Sequence, residues 1–435
     1  MEINRGIMRT KIFLKGPILS RSGYGEQTRF AFRALANHLD KFDIYVDALN
    51  WGKTGWLVDD DEERKYIDSL LVKTQEFIQS GGQFDVSVQV TIPNEWQKLA
   101  PINIGYTAGV ECNHVSPAWY EKIQVVDKVL VTSEHTKSGF VSTVFQVVDQ
   151  NTNQVINSVT CADKIPFDVV HYPVREFDSA EIDLDFEPSF NFLSVAQWAA
   201  RKNVDNTIKW FVEKFFDKEV GLVLKLNKQN NSTMDRHHTR EHIKSILDSI
   251  EGDKKCKIYL LHGDMSDEEM TSLYKHPKIK AFATLTHGEG FGLPLFEAAY
   301  HGLPIIAPAW SGHCDFLYIP SEESGKKKRR NRKSAMFAKI DYELKNVQEK
   351  AVWKGVIEPE AMWCFPKKES YKLALGDVYN SYEKHKSKAQ KLKKHILQNF
   401  KEEDMYDKFV DSIEEVLDSR VPTNTMEESE SVVIL

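Results

Sequence analysis

The sequence predicts an α/β fold: two Rossmann-like, doubly wound parallel-sheet domains facing a cleft, followed by C-terminal helices. Three observations carry this expectation. Short β-rich runs alternate with amphipathic helical stretches from about residue 11 to 172. A second alternation of the same kind begins at Phe190, after an acidic stretch that contains Pro188. Beyond Pro366 the pattern turns helical only. Strands separated by helices call for right-handed crossovers, and so for parallel sheets covered on both faces.

The first half opens with a strand over 11–15, a glycine-bearing loop and a helix over 26–38. Strands follow at 42–47, 85–90, 102–106, 128–132 and 167–172, with helical segments such as 66–79 and 134–145 between them. The stretch 149–163, rich in Asn and Thr, reads as a hairpin or loop inserted before the last strand. In the second half, strands are expected at 190–196, 221–226, 257–262, 280–285 and 304–307, and helices at 206–216, 236–250, 267–275 and 293–301. The terminal helices are 369–382, 386–399 and 403–418. The expected division is therefore 1–177 for a first α/β domain, 178–189 for a linker and 190–366 for a second α/β domain. Helices at 367–418 and a tail at 419–435 follow. Both sheets then present their carboxyl ends to one crevice, where open α/β sheets bind ligands.

Composition narrows the class. With 41% hydrophobic and 28% charged residues the 435-residue chain is an ordinary globular one, long enough for about two to three domains. No apolar run approaches the roughly 18 residues of a membrane helix, and the first residues lack a signal-peptide core. Five scattered cysteines (Cys112, Cys161, Cys256, Cys314, Cys364) form no C-x-x-C pair. That usage fits a reducing, cytoplasmic setting. The net charge of −7 hides a basic run, Lys326–Lys333, of seven positive charges. Such a run is usually a solvated loop, and its other use is contact with a polyanion.

The densest chemistry lies in Thr286-His287-Gly288-Glu289-Gly290-Phe291-Gly292-Leu293-Pro294-Leu295-Phe296-Glu297. It follows an expected strand and opens a helix. Gly290 and Gly292 let the backbone turn sharply and approach a ligand, and Pro294 suits the first helical turn. Exposed amides at a helix start favour a diphosphate or sugar oxygens. Glu289 in the loop and Glu297 one turn into the helix can both address one ligand, since a carboxylate accepts from both hydroxyls of a diol.

This segment resembles the E-x7-E signature of retaining GT-B glycosyltransferases of the GT4 type, with Glu289 and Glu297 as the two glutamates. The resemblance implies that Glu289 contacts the donor sugar and Glu297 the ribose. It also implies that the amides of Gly290, Phe291, Gly292 and Leu293 face the donor sugar and phosphates. It extends to Ser194-Val195-Ala196-Gln197-Trp198-Ala199-Ala200-Arg201-Lys202-Asn203, the strand and loop that supply cations to the diphosphate. Pro304–Pro308 with Trp310-Ser311-Gly312-His313, and Val131-Thr132-Ser133-Glu134 with Lys137, match further parts. One departure stands out: Ala196-Gln197 replaces the usual Gly-Arg. Lys202 keeps the lysine position, and Arg201 is the candidate substitute, able to grip phosphate oxygens bidentately. Lys225, ending the 221–226 strand, is a further candidate cation.

In the first half, Ser20-Arg21-Ser22-Gly23-Tyr24-Gly25-Glu26 links the first strand and helix. Gly23 and Gly25 would let this loop lie against phosphates or acceptor, and Thr28 in place of a third glycine weakens a dinucleotide reading. After the 102–106 strand, Glu111 and His114 are both candidates for the polar residue that related enzymes place near the reacting carbon.

The resemblance implies a nucleotide-sugar donor, transfer with retention, and leaving-group stabilisation by Lys202 and Arg201 in place of a metal or other cofactor. The acceptor class stays open among glycan, protein, lipid and modified nucleic acid. Two other readings compete. A non-catalytic glycan- or nucleotide-binding module could keep the same fold, although intact Glu289, Glu297 and Lys202 argue for an enzyme. His238-Thr239-Arg240-Glu241-His242 also fits H-x-x-E-H, an inverted zinc-hydrolase pattern with two histidines on one helical face, but no third ligand is apparent.

Overall fold

The computed structural model describes residues 9–52, 54–58, 60–148, 155–321 and 333–420. The first half contains β1 (Thr10–Gly16), α1 (Gly23–Ala36), β2 (Phe42–Ala48), α2 (Glu62–Gln79), β3 (Val86–Gln89) and β4 (Ile102–Thr107). It continues with α3 (Pro117–Lys122), β5 (Lys128–Val131), α4 (Glu134–Ser142), β6 (Phe145–Val148), β7 (Val155–Val159) and β8 (Phe167–Val169). Six of these strands form one parallel sheet in the order β2-β1-β3-β4-β5-β8. The antiparallel pair β6 and β7 is a hairpin before the last strand, and it begins at Phe145, ahead of the 149–163 stretch where a hairpin or loop was expected.

The second half runs through β9 (Asn191–Gln197), α5 (Val204–Phe215), β10 (Gly221–Asn227), α6 (Thr233–Asp248), β11 (Lys257–Leu261) and α7 (Asp267–Lys275). Then come β12 (Ile279–Ala283), α8 (Leu293–Tyr300), β13 (Ile305–Pro308), α9 (Cys314–Leu317), β14 (Tyr318–Pro320), β15 (Lys333–Ala335) and β16 (Ala338–Ile340). Its parallel sheet has the order β11-β10-β9-β12-β13-β16. Two antiparallel strands, β17 (Tyr342–Asn346) and β18 (Met362–Pro366), follow. Strand order reverses between β1 and β3 in one sheet and between β9 and β12 in the other, so each sheet has a switch point where its loops diverge.

Local chemistry explains the boundaries. Ser22, Asp61, Ser133, Ser232 and Ser266 each accept a backbone N–H at the start of α1, α2, α4, α6 and α7, which satisfies donors a helix start leaves open. All four residues of β3 and of β5 are buried, as strands covered on both faces must be. The expected 134–145 helix stops at Ser142 because Phe145 enters the hairpin.

Between 318 and 366, where the sequence pattern predicts no strand, the described residues form five. β14 to β18 are three to five residues each, too short to show alternation. Of the basic run, Lys333 opens β15, and residues 326–332 lie outside the described ones.

The terminal helices α10 (Lys368–Asn380), α11 (Tyr382–Asn399) and α12 (Glu402–Arg420) divide between the halves. α10 packs on α5 and β16, and α11 on α8, whereas α12 lies against α1 and β4 of the first half. Lys41–Glu414 and Lys128–Glu415 ion pairs help seat α12 there. Residues 178–189 have no regular structure and are pinned to the second half, where Ser272 Oγ donates to Ala180 O at 2.6 Å.

Candidate active site

The switch point of the second sheet gathers Arg201, Lys202 and Glu289. After β9 the chain makes a single tight turn, Ala200–Lys202, and leaves it through Asn203 in the left-handed region (φ 51°). After β12 comes the loop carrying His287 to Gly292. The two loops are sewn together: His287 N donates to Arg201 O at 2.7 Å, and Asn203 Nδ2 to Leu285 O at 3.2 Å. Lys202 Nζ then reaches Glu289 Oε1 and Oε2 at 2.6 and 2.7 Å. Arg201 Nη1 reaches Gly288 O at 2.5 Å and Glu289 Oε2 at 3.0 Å.

Burial alone would raise the Glu289 carboxyl, but Lys202 and Arg201 outweigh it and hold it at about 2. Burial, joined by the charge of Arg201, pushes the Lys202 ammonium down. Arg201 loses stabilisation by burial yet is held above its ordinary value by Glu111 and Glu289. The cluster is thus two cations and two carboxylates, all mostly buried, a setting where electrostatic effects are strong.

The Glu289 loop has rigid backing. Glu289 N donates to Ser311 Oγ at 2.9 Å, and Gly312 N to Glu289 O at 2.9 Å. Ser311 sits at φ 85°, a costly conformation for a residue with a Cβ, held here by those bonds. His287 is neutral, its value pushed down by burial to about 4. Its Nδ1 lies 2.6 Å from Cys364 O, and Gln348 Nε2 donates to its Nε2 at 3.1 Å. The β18 strand is thereby fixed to the site loop.

The first half closes over this loop. Glu111 Oε1 lies 3.1 Å from Arg201 Nη2. A Cβ on Gly288 would stand 2.9 Å from Glu111 O, and one on Gly290 would stand 2.8 Å from Ala108 O. Both glycines are therefore required by the contact between the halves, a reason the sequence reading did not give. Nearby, Asp315 Oδ2 accepts Glu134 N at 2.8 Å and stands 2.9 Å from His171 Nε2, and His135 meets the Trp310 ring edge-on at 4.6 Å. No local sequence signal marked these cross-half contacts.

The remaining candidates are placed as follows. His114 is half-buried and makes no hydrogen bond or ion pair among the described residues. Glu297 stands on α8, where Tyr274 Oη donates to its Oε2 at 2.7 Å. Burial pushes its carboxyl up to about 7 despite that bond, helped by Asp267 and Glu26. Lys225 donates to Gly263 O, at the ends of β10 and β11. Gly292 caps α8 at φ 96°, Leu293 opens that helix, and the Phe291 side chain is buried between Tyr172 and Phe316. Gly23 is exposed at the start of α1, while Gly25 leaves room for Ser20 O, 1.9 Å from any added Cβ. His238 is exposed, whereas His242 stacks on Trp198 at 4.3 Å and pairs with Asp205 at 3.3 Å. Among the described residues no group of three or more His, Cys, Asp or Glu could hold a metal ion, and no helix is long and apolar enough to cross a membrane.

No family model and no curated protein matches the chain. Solved structures do. A sucrose-phosphate synthase from Thermosynechococcus elongatus is 11% identical with a TM-score of 0.58, over 94% of this chain and 100% of that one. Anabaena HepE, in complex with UDP and glucose, is 10% identical with a TM-score of 0.55, over 94% and 100%. The catalytic domain of starch synthase IV from Arabidopsis thaliana, bound to ADP and acarbose, is 11% identical with a TM-score of 0.54, over 94% and 99%. At these identities the likeness is one of fold, and the chain has the two-sheet GT-B fold of these proteins.

Proposed function

We propose that the chain is a glycosyltransferase of the retaining, GT4 type, moving a sugar from a nucleotide-sugar donor to an acceptor hydroxyl without a metal. The observation that carries this reading is the convergence of Lys202, Arg201 and Glu289 at the β9/β12 switch point, roofed by Glu111 of the other half. Solved proteins of the same fold hold UDP with glucose, or ADP, which supports a nucleoside diphosphate as the leaving group.

In this reading the diphosphate lies against Lys202 and Arg201, whose charge stabilises the departing oxygens where a divalent cation would otherwise serve. The diphosphate takes over part of the lysine now given to Glu289, freeing that carboxylate for the donor sugar hydroxyls. Glu297 accepts from the ribose diol. The acceptor oxygen attacks on the leaving-group face, and its proton passes to the departing phosphate. Closure of the halves keeps water from the donor. The domain division at 178–189 belongs to this proposal, as does a cytoplasmic location, which the five free cysteines support. The test is release of nucleoside diphosphate from a panel of UDP-, ADP- and GDP-sugars. Turnover of one or more is expected, and none with any donor would overturn the reading.

A further inference from the structure

The departure from the E-x7-E pattern has a structural counterpart. Gln197, at the usual arginine position, is exposed at the end of β9, and the guanidinium in the site comes from Arg201, four residues on. An arginine displaced along the chain needs anchors, because its long side chain has many rotamers and its planar fork acts only when oriented. Arg201 has them on both arms. Nη1 is held from within the second half, by Gly288 O at 2.5 Å and Glu289 Oε2 at 3.0 Å. Nη2 is held from the first half, by Glu111 Oε1 at 3.1 Å.

The position of Glu111 is itself set by the meeting of the halves. Its backbone packs where Gly288 lacks a Cβ, and Ala108 packs likewise on Gly290. Two residues on, Asn113 N donates to Met362 O at 2.9 Å and Asn113 Oδ1 accepts Met362 N at 2.8 Å. The loop after β4 is thereby registered on β18. His114 makes no comparable contact.

Resting on the glycosyl-transfer reading, we infer that Glu111 is a positioning residue for Arg201, aiming the guanidinium at the diphosphate only when the halves are closed. Chemistry and closure are thus coupled through one ion pair. With the halves apart Arg201 loses one of its two arms, and the donor is not activated toward water.

The test is a double-mutant cycle of Glu111→Gln and Arg201→Gln, read on turnover of whichever donor the parent uses and on unfolding without donor. Glu111→Gln is expected to lower kcat by about a hundredfold, the scale of a misplaced catalytic group, and to change donor KM by less than about threefold. In the Arg201→Gln background it should cost nothing more, because coupled residues are not additive. The unfolding cycle should show the same coupling. Glu111→Asp, which keeps the charge one methylene short, should fall between parent and Glu111→Gln, and it substitutes should the glutamine variant not fold. Losses that multiply would place Glu111 at the reacting carbon itself, and an unchanged kcat would leave a merely structural pair. Either result overturns the positioning role alone. A parent that turns over no donor overturns the glycosyl-transfer reading and this role with it.

Discussion

Lys202 Nζ grips both carboxylate oxygens of Glu289, at 2.6 and 2.7 Å, and so joins the turn after β9 to the loop after β12. Both side chains are largely buried, 15% and 7% exposed. Such a pair costs desolvation to form, and removing one partner costs more because the other is left uncompensated. Its net contribution to stability is therefore small beside the cost of losing either partner alone.

Lys202→Ala is expected to lower kcat by about a hundredfold, the scale of losing one donor to a developing oxyanion. UDP or ADP affinity should fall far less, because leaving-group charge grows only toward the transition state. Steady-state kinetics beside calorimetry of the free nucleotide separates the two. An intact kcat with weakened nucleotide binding would make Lys202 a ground-state contact.

Glu289 also predicts an acid limb of stability. Its carboxyl is held at about 2, below the ordinary 4.5, because two cations outweigh its burial. The stabilisation is present above about pH 4.5 and fades as pH falls through about 2, where the folded state must also take up the proton. Urea unfolding of the parent should weaken over that range, and Glu289→Gln should flatten this part of the profile. Parallel profiles for the two proteins would contradict the assignment.

If Lys202 and Arg201 take up the leaving-group charge as proposed, EDTA should leave turnover within about twofold. A loss restored by Mg2+ or Mn2+ would show that the two cations do not suffice.

Gly290→Ala probes the meeting of the halves. The added Cβ would stand 2.8 Å from Ala108 O, a backbone atom that yields only if the first half moves. Donor turnover should fall by about tenfold or more, on the scale of small misplacements in a site. UDP binding, which the proposal assigns to the second half, should change little, and equal kcat in mutant and parent would mean that closure tolerates the methyl.

Most of this was legible in local patterns. Strands such as β1, β2, β9 and β10 announced themselves through Val, Ile and Leu runs, and Lys202, Arg201 and Glu289 through their place after strands of a doubly wound unit. β14 to β18 were not, because strands of three to five residues show little periodicity and take their order from neighbours. The Glu111–Arg201 pair was equally hidden, a relation between residues 90 positions apart that neither segment encodes alone. The same holds for Asp315, which receives His171 and the Glu134 amide.

The Glu297 carboxyl is pushed up by burial to about 7, with Asp267 and Glu26 adding to the effect. Between about pH 4.5 and 7 the folded chain keeps a proton that the unfolded chain has lost, so this group's contribution to stability declines as pH rises through that window. Glu297→Gln removes the penalty, and at pH 8 the variant should be more stable than the parent by on the order of 1–3 kcal/mol. Binding runs the other way. A ribose diol needs the carboxylate as acceptor, so nucleoside affinity should rise about tenfold from pH 6 to pH 8 as the group ionises. Adenosine and uridine are the suitable probes, since they carry no phosphate to titrate in that range. NMR titration of parent and Glu297→Gln at the two pH values decides the matter. A parent with equal affinity at both, or a glutamine variant that keeps the parent's pH dependence, would remove Glu297 from the ribose.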